Sequence, residues 1–384
     1  MPTLARSRSR SRSLAAAGAV AAGGLAASVA APPAQAIVYG PHNQNHPVVA
    51  GSPSSHHGLR VLRLVSDQPG KARLTDKNLV NAWGLAASPS SPLWVSNNGS
   101  NTSTLYQGAT APGDPLKKVP LVVKIPGGGA PTGALFNPTM RFRLHSGGKT
   151  GPALFLFAGE GGDLTAWNQS GNPNRAVVVA HQKNSVYKGL TMVTVGGKRF
   201  LLVANFHQRR ISIFNQRFHR VSAPGAFPSR GIPKGFAPFD VATLGGKVYV
   251  SYAKQDSKGE DDVPGAGHGF INVFSQDGQF LKSLVRRGVL DSPWGLTIAP
   301  QGFGHLAGKL LVGNFGNGRI HAVNRSTGNV VATLKNRSGH PIAIDGLWAL
   351  RPGNGTAGGR SDVLFSAGPN GEAHGLLGIL RSHH

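Results

Sequence analysis

Oxygen-bearing side chains recur at matching points along this 384-residue chain. Glu160, Asn205, Asp240, Asn314 and Asp345 each stand beside an apolar segment. Brought to one point, they could ring a divalent cation, because Ca²⁺ takes about six to eight oxygens from carboxylates and amides. Calcium is therefore the one cofactor these residue types suggest. Trp83 and Trp294, each followed by Gly-Leu, join Asn97, Asn98, Asp163 and Asp256 as further candidates for a ligand-facing surface. A plainer chemistry competes with this one. Asn and Asp after a strand hydrogen-bond their own backbone in turns, and repeated Trp-Gly pairs can simply be packing. No catalytic residue can be named: Gly-x-Ser-x-Gly in a strand-to-helix context, His-Glu-x-x-His and the P-loop are all missing. Without cysteine there is no disulfide, thiolate metal site or thiol nucleophile. Asp256, Glu260, Asp261 and Asp262 supply four of only 15 acids within one stretch, Tyr252 to Phe270. Their spacing does not match an EF-hand, and the stretch reads as a solvated acidic loop.

The elements that must position these groups are strands. With 54 Gly and 27 Pro, and no window outside the first 36 residues patterned as a helix, the chain has the composition of short strands joined by turns. Its strongest signal is internal repetition. Openings recur as Trp83-Gly84-Leu85, Lys188-Gly189-Leu190, Pro238-Phe239-Asp240, Trp294-Gly295-Leu296 and Asp345-Gly346-Leu347, with Phe136-Asn137-Pro138-Thr139 a poorer fit. Gly189, Asp240, Gly295 and Gly346 are 51, 55 and 51 residues apart, and the 105 residues between Gly84 and Gly189 leave room for two repeats. Each opening leads into an apolar second strand, such as Leu93-Trp94-Val95 or Val363-Leu364-Phe365. Alternating third strands follow, such as Ile211-Ser212-Ile213-Phe214 and Ile320-His321-Ala322-Val323. Asp277-Gly278 and Thr327-Gly328 are hairpin turns into fourth strands. The expected fold is all-β: a single β-propeller of six four-stranded blades, closed by the N-terminal strand Leu59 to Val65 pairing with the sixth blade. In such blades the loop before the first strand and the turn between the second and third fall at one end, so the eleven candidates are expected to converge there around the channel.

Outside the repeats, residues 1–36 read as a signal peptide: Arg6, Arg8, Arg10 and Arg12, an Ala-rich run from Leu14 to Ala31, and the small-x-small site Ala34-Gln35-Ala36. The run is too weakly apolar for a stable transmembrane anchor. Residues 37–58, with His42, His46, His56 and His57, read as a disordered arm, and residues 59–384 as the propeller. Formal net charge is +25, of which four charges sit on the leader arginines, leaving +21. An anionic partner follows, with an envelope polymer foremost and another extracellular protein the alternative. Scattered basic pairs without a nucleic-acid fold signature argue against specific nucleic-acid recognition. A secreted, extracellular monomer is the expectation.

Several phrases carry a resemblance: Asn81-Ala82-Trp83-Gly84-Leu85, Tyr187-Lys188-Gly189-Leu190, Ser292-Pro293-Trp294-Gly295-Leu296 and Leu311-Val312-Gly313-Asn314-Phe315-Gly316 among them. Over roughly residues 60 to 380 the chain resembles an uncharacterised family of secreted bacterial six-bladed propeller-like proteins, distantly similar to NHL-repeat domains. The resemblance implies the fold and brings no catalytic residues. Some members carry a C-terminal sorting segment; this chain ends at Arg381-Ser382-His383-His384, so release is expected. Two functions stay open. One is a secreted binding or scaffold propeller engaging an anionic envelope component. The other is a calcium-dependent lactonase or esterase-like hydrolase at the channel, by analogy with six-bladed lactonases.

Overall fold

The computed structural model describes residues 58–382, so the expected signal peptide and nearly all of the expected arm lie outside the described residues. Six four-stranded antiparallel blades stand around one axis; the short strand Leu74–Thr75 extends the sixth in parallel, and a separate hairpin, Arg143–Ser146 with Lys149–Pro152, is inserted in the second. Blade 1 runs through Ala82–Ala86, Leu93–Asn97, Thr102–Gly108 and Leu116–Lys124, and blade 2 through Pro131–Phe136, Phe155–Gly159, Asp163–Trp167 and Val177–His181. Blade 3 comprises Tyr187–Val195, Lys198–Asn205, Arg210–Phe214 and Arg220–Val221; blade 4 comprises Phe236–Leu244, Lys247–Lys254, Gly269–Phe274 and Phe280–Arg286. Blade 5 uses Pro293–Ile298, Leu310–Asn314, Ile320–Val323 and Val330–Thr333. Blade 6 uses Leu347–Pro352, Val363–Ala367 and Leu376–Arg381, and takes its fourth strand, Arg60–Ser66, from the other end of the chain. The first strands pack side by side around the axis, and that of blade 6 returns against that of blade 1. The expected six-bladed propeller with its N-terminal closing strand is the observed fold. Among the described residues the helices are two 3₁₀ turns, and none is long and apolar enough to cross a membrane.

Two repeat boundaries differ from the sequence expectation. Blade 2 opens at Pro131–Phe136, so Gly133, and nothing in the phrase Phe136-Asn137-Pro138-Thr139, is the counterpart of Gly84. In blade 6 the counterpart of Trp294-Gly295 is Trp348-Ala349, so the position of Gly295 falls on Ala349, three residues beyond Gly346. Gly346 instead sits at φ 64° in the turn before the strand, a left-handed conformation that favours glycine.

A bulge in every blade explains what reaches the axis. Pairing between the first and second strands breaks at the same place six times, leaving Trp83, Thr132, Lys188, Phe239, Trp294 and Trp348 out of register. A β-bulge bends its strand and re-aims a side chain. The glycine that follows serves a different need. A Cβ on Gly84 would lie 2.4 Å from the Thr132 carbonyl oxygen and 2.5 Å from the Ala134 nitrogen, backbone of the next blade. Neighbouring first strands approach that closely only where the side chain is absent. Outside this inner ring, faces of adjacent blades interdigitate; Trp94 of blade 1, for example, stacks on Phe155 of blade 2 with ring centroids 4.2 Å apart. Burying an aromatic or aliphatic side chain of this size contributes about 1.5–3 kcal/mol.

Candidate functional site

The six bulged residues fill the axis instead of leaving a pore. Trp83 stacks on Trp348 with centroids 3.4 Å apart, and Trp294 stands edge-on to both at 5.8 and 5.7 Å. Phe239 leans on Trp348, while Phe315 stacks on it at 4.0 Å and Phe206 packs against Phe239. This aromatic layer divides the channel into two ends of different chemistry.

At the end where second strands turn into third strands sits Lys188, only 1% exposed. Its Nζ lies 5.1 Å from the Trp83 ring centre and 5.9 Å from that of Phe206, geometry in which an ammonium is attracted to the ring faces. It donates a short hydrogen bond to Glu160, from the blade 2 turn, and lies 3.4 Å from Asp261, from the blade 4 turn. Glu372 of the blade 6 turn accepts from Asn81 Nδ2 at 2.7 Å. The same amide donates to Asn98 at 3.2 Å, Asn98 donates to Glu160 at 3.0 Å, and Trp348 Nε1 donates to Asn81 Oδ1 at 3.1 Å. One network thus runs from the aromatic layer to the ammonium, with blades 2, 4 and 6 each contributing carboxylates.

Burial and like charge set the protonation of this end. Desolvation, then the Glu160 charge, raise the Glu372 carboxyl to about 7, against the pull of Lys188. Desolvation also raises Asp262 to about 6. Burial pushes the Lys188 ammonium down, but the Glu160 and Asp261 charges override it and hold the ammonium well above the ordinary lysine range. The group is therefore a permanent cation facing carboxyls that exchange protons near neutrality, an arrangement suited to holding a proton or a hydrogen-bonding ligand.

Beyond the aromatic layer, at the end where first strands turn into second strands, the axis opens into a cavity of 330 Å³. Leu85, Leu135, Leu190, Leu296 and Leu350 wall it, with Trp294 among its inner residues. Asp240 and Arg351 are the charged side chains that line it. Desolvation raises Asp240 to about 7, and a hydrogen bond from the Val241 backbone only partly opposes this. The folded protein therefore holds a proton on Asp240 that the unfolded chain gives up near its ordinary value of 3.8. The resulting stability is complete below that value and is lost as pH rises through about 7. An Asp240→Asn variant, neutral throughout, is expected to gain about 2 kcal/mol on the native protein between pH 5 and pH 8 in urea unfolding. A gap that stays constant over that range would mean that Asp240 is ionised throughout it.

No family model matches the chain. Over 333 residues, 84% of this chain and 80% of the relative, it is 32% identical to "Uncharacterized protein R648" of Acanthamoeba polyphaga mimivirus. The chain belongs to the R648 family. Uncharacterized protein L690 of the same virus is 31% identical over 334 residues, covering 84% of this chain and 85% of its own length. These R648-family relatives are viral and lend no support to the expectation of a bacterial family. Among solved structures, a streptogramin B lyase is similar at 11% identity and TM-score 0.47, covering 85% of this chain and 97% of its own. Virginiamycin B lyase from Staphylococcus aureus is similar at 11% identity and TM-score 0.46, with 84% and 99% covered.

For the R648-family chain, the eleven residues singled out from sequence separate into three groups. Trp83, Asn98, Glu160 and Trp294 reach the axis or the Lys188 network. Asp240 is axial too, but it lines the cavity beyond the aromatic layer and not the end expected for it. The other six are tied into turns. Asn97 donates to Thr102 and Thr104, Asn205 to Ser185 and Ser212, and Asn314 to the Val289 carbonyl. Asp163 accepts from Gly128 N and meets His181, Asp256 accepts from the Glu260 and Asp261 backbone, and Asp345 accepts from Asn370 N.

The five-residue cation ring is consequently not assembled. Its members lie on both sides of the aromatic layer or inside their own blades, and among the described residues no three His, Asp or Glu are grouped to hold a metal ion. The hydrolase reading loses the ligand set it needed. The acidic loop is also not merely solvated, since Asp261 meets Lys188 and Asp262 is pushed up by burial. Sequence reasoning missed Lys188, Glu372, Asn81 and Arg351 as site residues. A signal existed for Lys188: it occupies the register position held by Trp83 and Trp294 in other repeats.

Proposed function

We propose that the chain is an exported binding propeller that engages an anionic envelope polymer through the end of the ring formed by its first-to-second and third-to-fourth turns. The observation that carries this reading is the uneven placement of the acids: exposed basic side chains occur at both ends, Arg209, Arg210 and Arg287 among them at the opposite one, but the carboxylates crowd one end. Of the 15 acids, ten belong to the opposite end: Asp67, Glu160, Asp163, the four of the blade 4 turn, Asp291, Asp345 and Glu372, while Asp76 is buried against Tyr106 and Lys118 of blade 1. Asp240 is axial, which leaves Asp114, Asp277 and Asp362 for the proposed binding end, and Arg381 already pairs with Asp362. That end exposes Arg143 and Lys149 of blade 2, Lys198 and Arg217 of blade 3, Lys247 of blade 4 and Arg325 of blade 5. Among the described residues, Lys118, Lys188 and Arg381 are the lysines and arginines that form ion pairs with carboxylates. The Lys282 ammonium is lowered by burial and by the nearby Lys247 charge, as befits a surface where like charges crowd without counter-charges.

A face of this kind attracts polyanions by a long-range field that salt weakens. Export rests on the arginine-led, Ala-rich residues 1–36. With dextran sulfate as the probe, native protein is expected to bind at low salt and to lose affinity steadily as salt rises. Reversing Lys198, Lys247 and Arg325 to Glu should weaken binding about tenfold or more, while Asp256→Lys at the other end should not weaken it. Salt-indifferent binding, or equal losses from both ends, would refute the assignment.

A further inference from the structure

We infer that the axial cavity walled by leucines at the basic end is a binding site for a small zwitterion with an apolar body, of the class of a free amino acid or dipeptide. The inference stands independently of polyanion binding at the rim. Its first support is shape and lining: 330 Å³ lies at the lower end of small-ligand pockets, and one leucine or more from every blade shares the walls with small residues and with Thr191, Thr243 and Thr297.

The second support is a buried carboxyl and a guanidinium that the protein leaves without ion-pair partners, the carboxyl keeping its proton for want of a cation. Asp240 is 8% exposed, and its carboxylate accepts one hydrogen bond, from the backbone of the next residue, Val241. Arg351 donates one N–H to the Ala87 carbonyl at 2.8 Å, while its Nε is buried without an acceptor. Neither forms an ion pair among the described residues, with the other or with any neighbour. A buried donor or charge left unmatched is destabilising unless something satisfies it.

Charge complementarity then selects the class. A plain carboxylate would satisfy Arg351 but bring Asp240 no cation, while a plain amine would let Asp240 ionise and pair but leave Arg351 unanswered. A molecule bearing both, with a hydrocarbon side chain for the leucine walls, answers all three features. Because its net charge is zero, its binding should respond weakly to salt, which separates it from polyanion binding at the rim.

Calorimetry on the purified protein with L-leucine, L-phenylalanine and L-leucyl-L-leucine tests the inference, alongside the N-acetyl and C-terminal amide forms of the dipeptide. At least one zwitterion should bind saturably, and blocking either end should weaken binding about tenfold or more. Asp240→Asn should weaken the zwitterion by a similar factor and abolish its advantage over the N-acetyl form. Arg351→Gln should likewise abolish the advantage over the amide. If Arg351→Gln does not fold, Arg351→Lys is read in its place, because it keeps the charge but loses the Nε donor. No saturable binding of any zwitterion, or binding that survives both substitutions unchanged, would overturn the inference.

Discussion

Lys188→Met is expected to destabilise the folded protein by about 3–5 kcal/mol at pH 7, the range found when one partner of a buried ion pair is removed. The side chain fits the same channel volume and keeps its contact with Trp83, so packing is largely preserved. What disappears is the ammonium, leaving Glu160 and Asp261 facing Asp262 and Glu372 without a counter-charge. Urea unfolding at several pH values separates this from a packing defect. The deficit should shrink toward pH 5, because the carboxyls then take up protons and the repulsion fades. Adding Glu160→Gln should restore part of the loss, a coupling that a double-mutant cycle reads directly. A deficit under about 1 kcal/mol, or one independent of pH, would mean that Lys188 holds the channel by shape alone.

Gly84→Ala should have a comparable effect for an unrelated reason. Its φ is not in the left-handed region, so backbone strain is not the cause. The added methyl would meet the Thr132 oxygen at 2.4 Å, the Ala134 nitrogen at 2.5 Å and the Gly133 carbonyl carbon at 2.9 Å. These are backbone atoms of blade 2 that cannot rotate away, so blades 1 and 2 must separate and disturb the stacked tryptophans. A loss of about 3 kcal/mol or more is expected, at the upper end for overpacking. Gly151→Ala is the control: its methyl would meet only the Asn168 side-chain amide, at 3.1 Å, and should change the melting point little. Equal behaviour of the two variants would disprove close approach as the role of the axial glycines.

How much of this was legible in the residues depends on which force sets each feature. Strand order and blade number follow from alternation and glycine punctuation, which are local, and they were readable. Blade 2 was hard to place because its axial residue is Thr132, which lacks the aromatic signature of Trp83 or Trp294. The site was less legible because it is assembled across blades. Glu372 follows Asn370-Gly371 and reads as a turn residue; that it accepts from Asn81, 291 positions away, is a property of the closed ring. Asn97, Asn205 and Asn314 carry the right chemistry for a ligand, yet each finds partners within its own blade or the turn leading into it. Such local bonds form at little entropic expense and so pre-empt a distant ligand.

The closing strand has a mechanical consequence. Arg60–Ser66 runs antiparallel to Leu376–Arg381 with Arg60 directly opposite Arg381. Tension applied at those two residues therefore loads the ladder at its end, one rung after another, and does not shear all rungs at once. The circle is closed by a zipper whose two tabs lie side by side, each pinned to a neighbour: Leu59 N to the Lys335 carbonyl beyond blade 5, and Arg381 to the Ala109 carbonyl of blade 1. A pull on both tabs must break these pins first and then opens the seam in small steps.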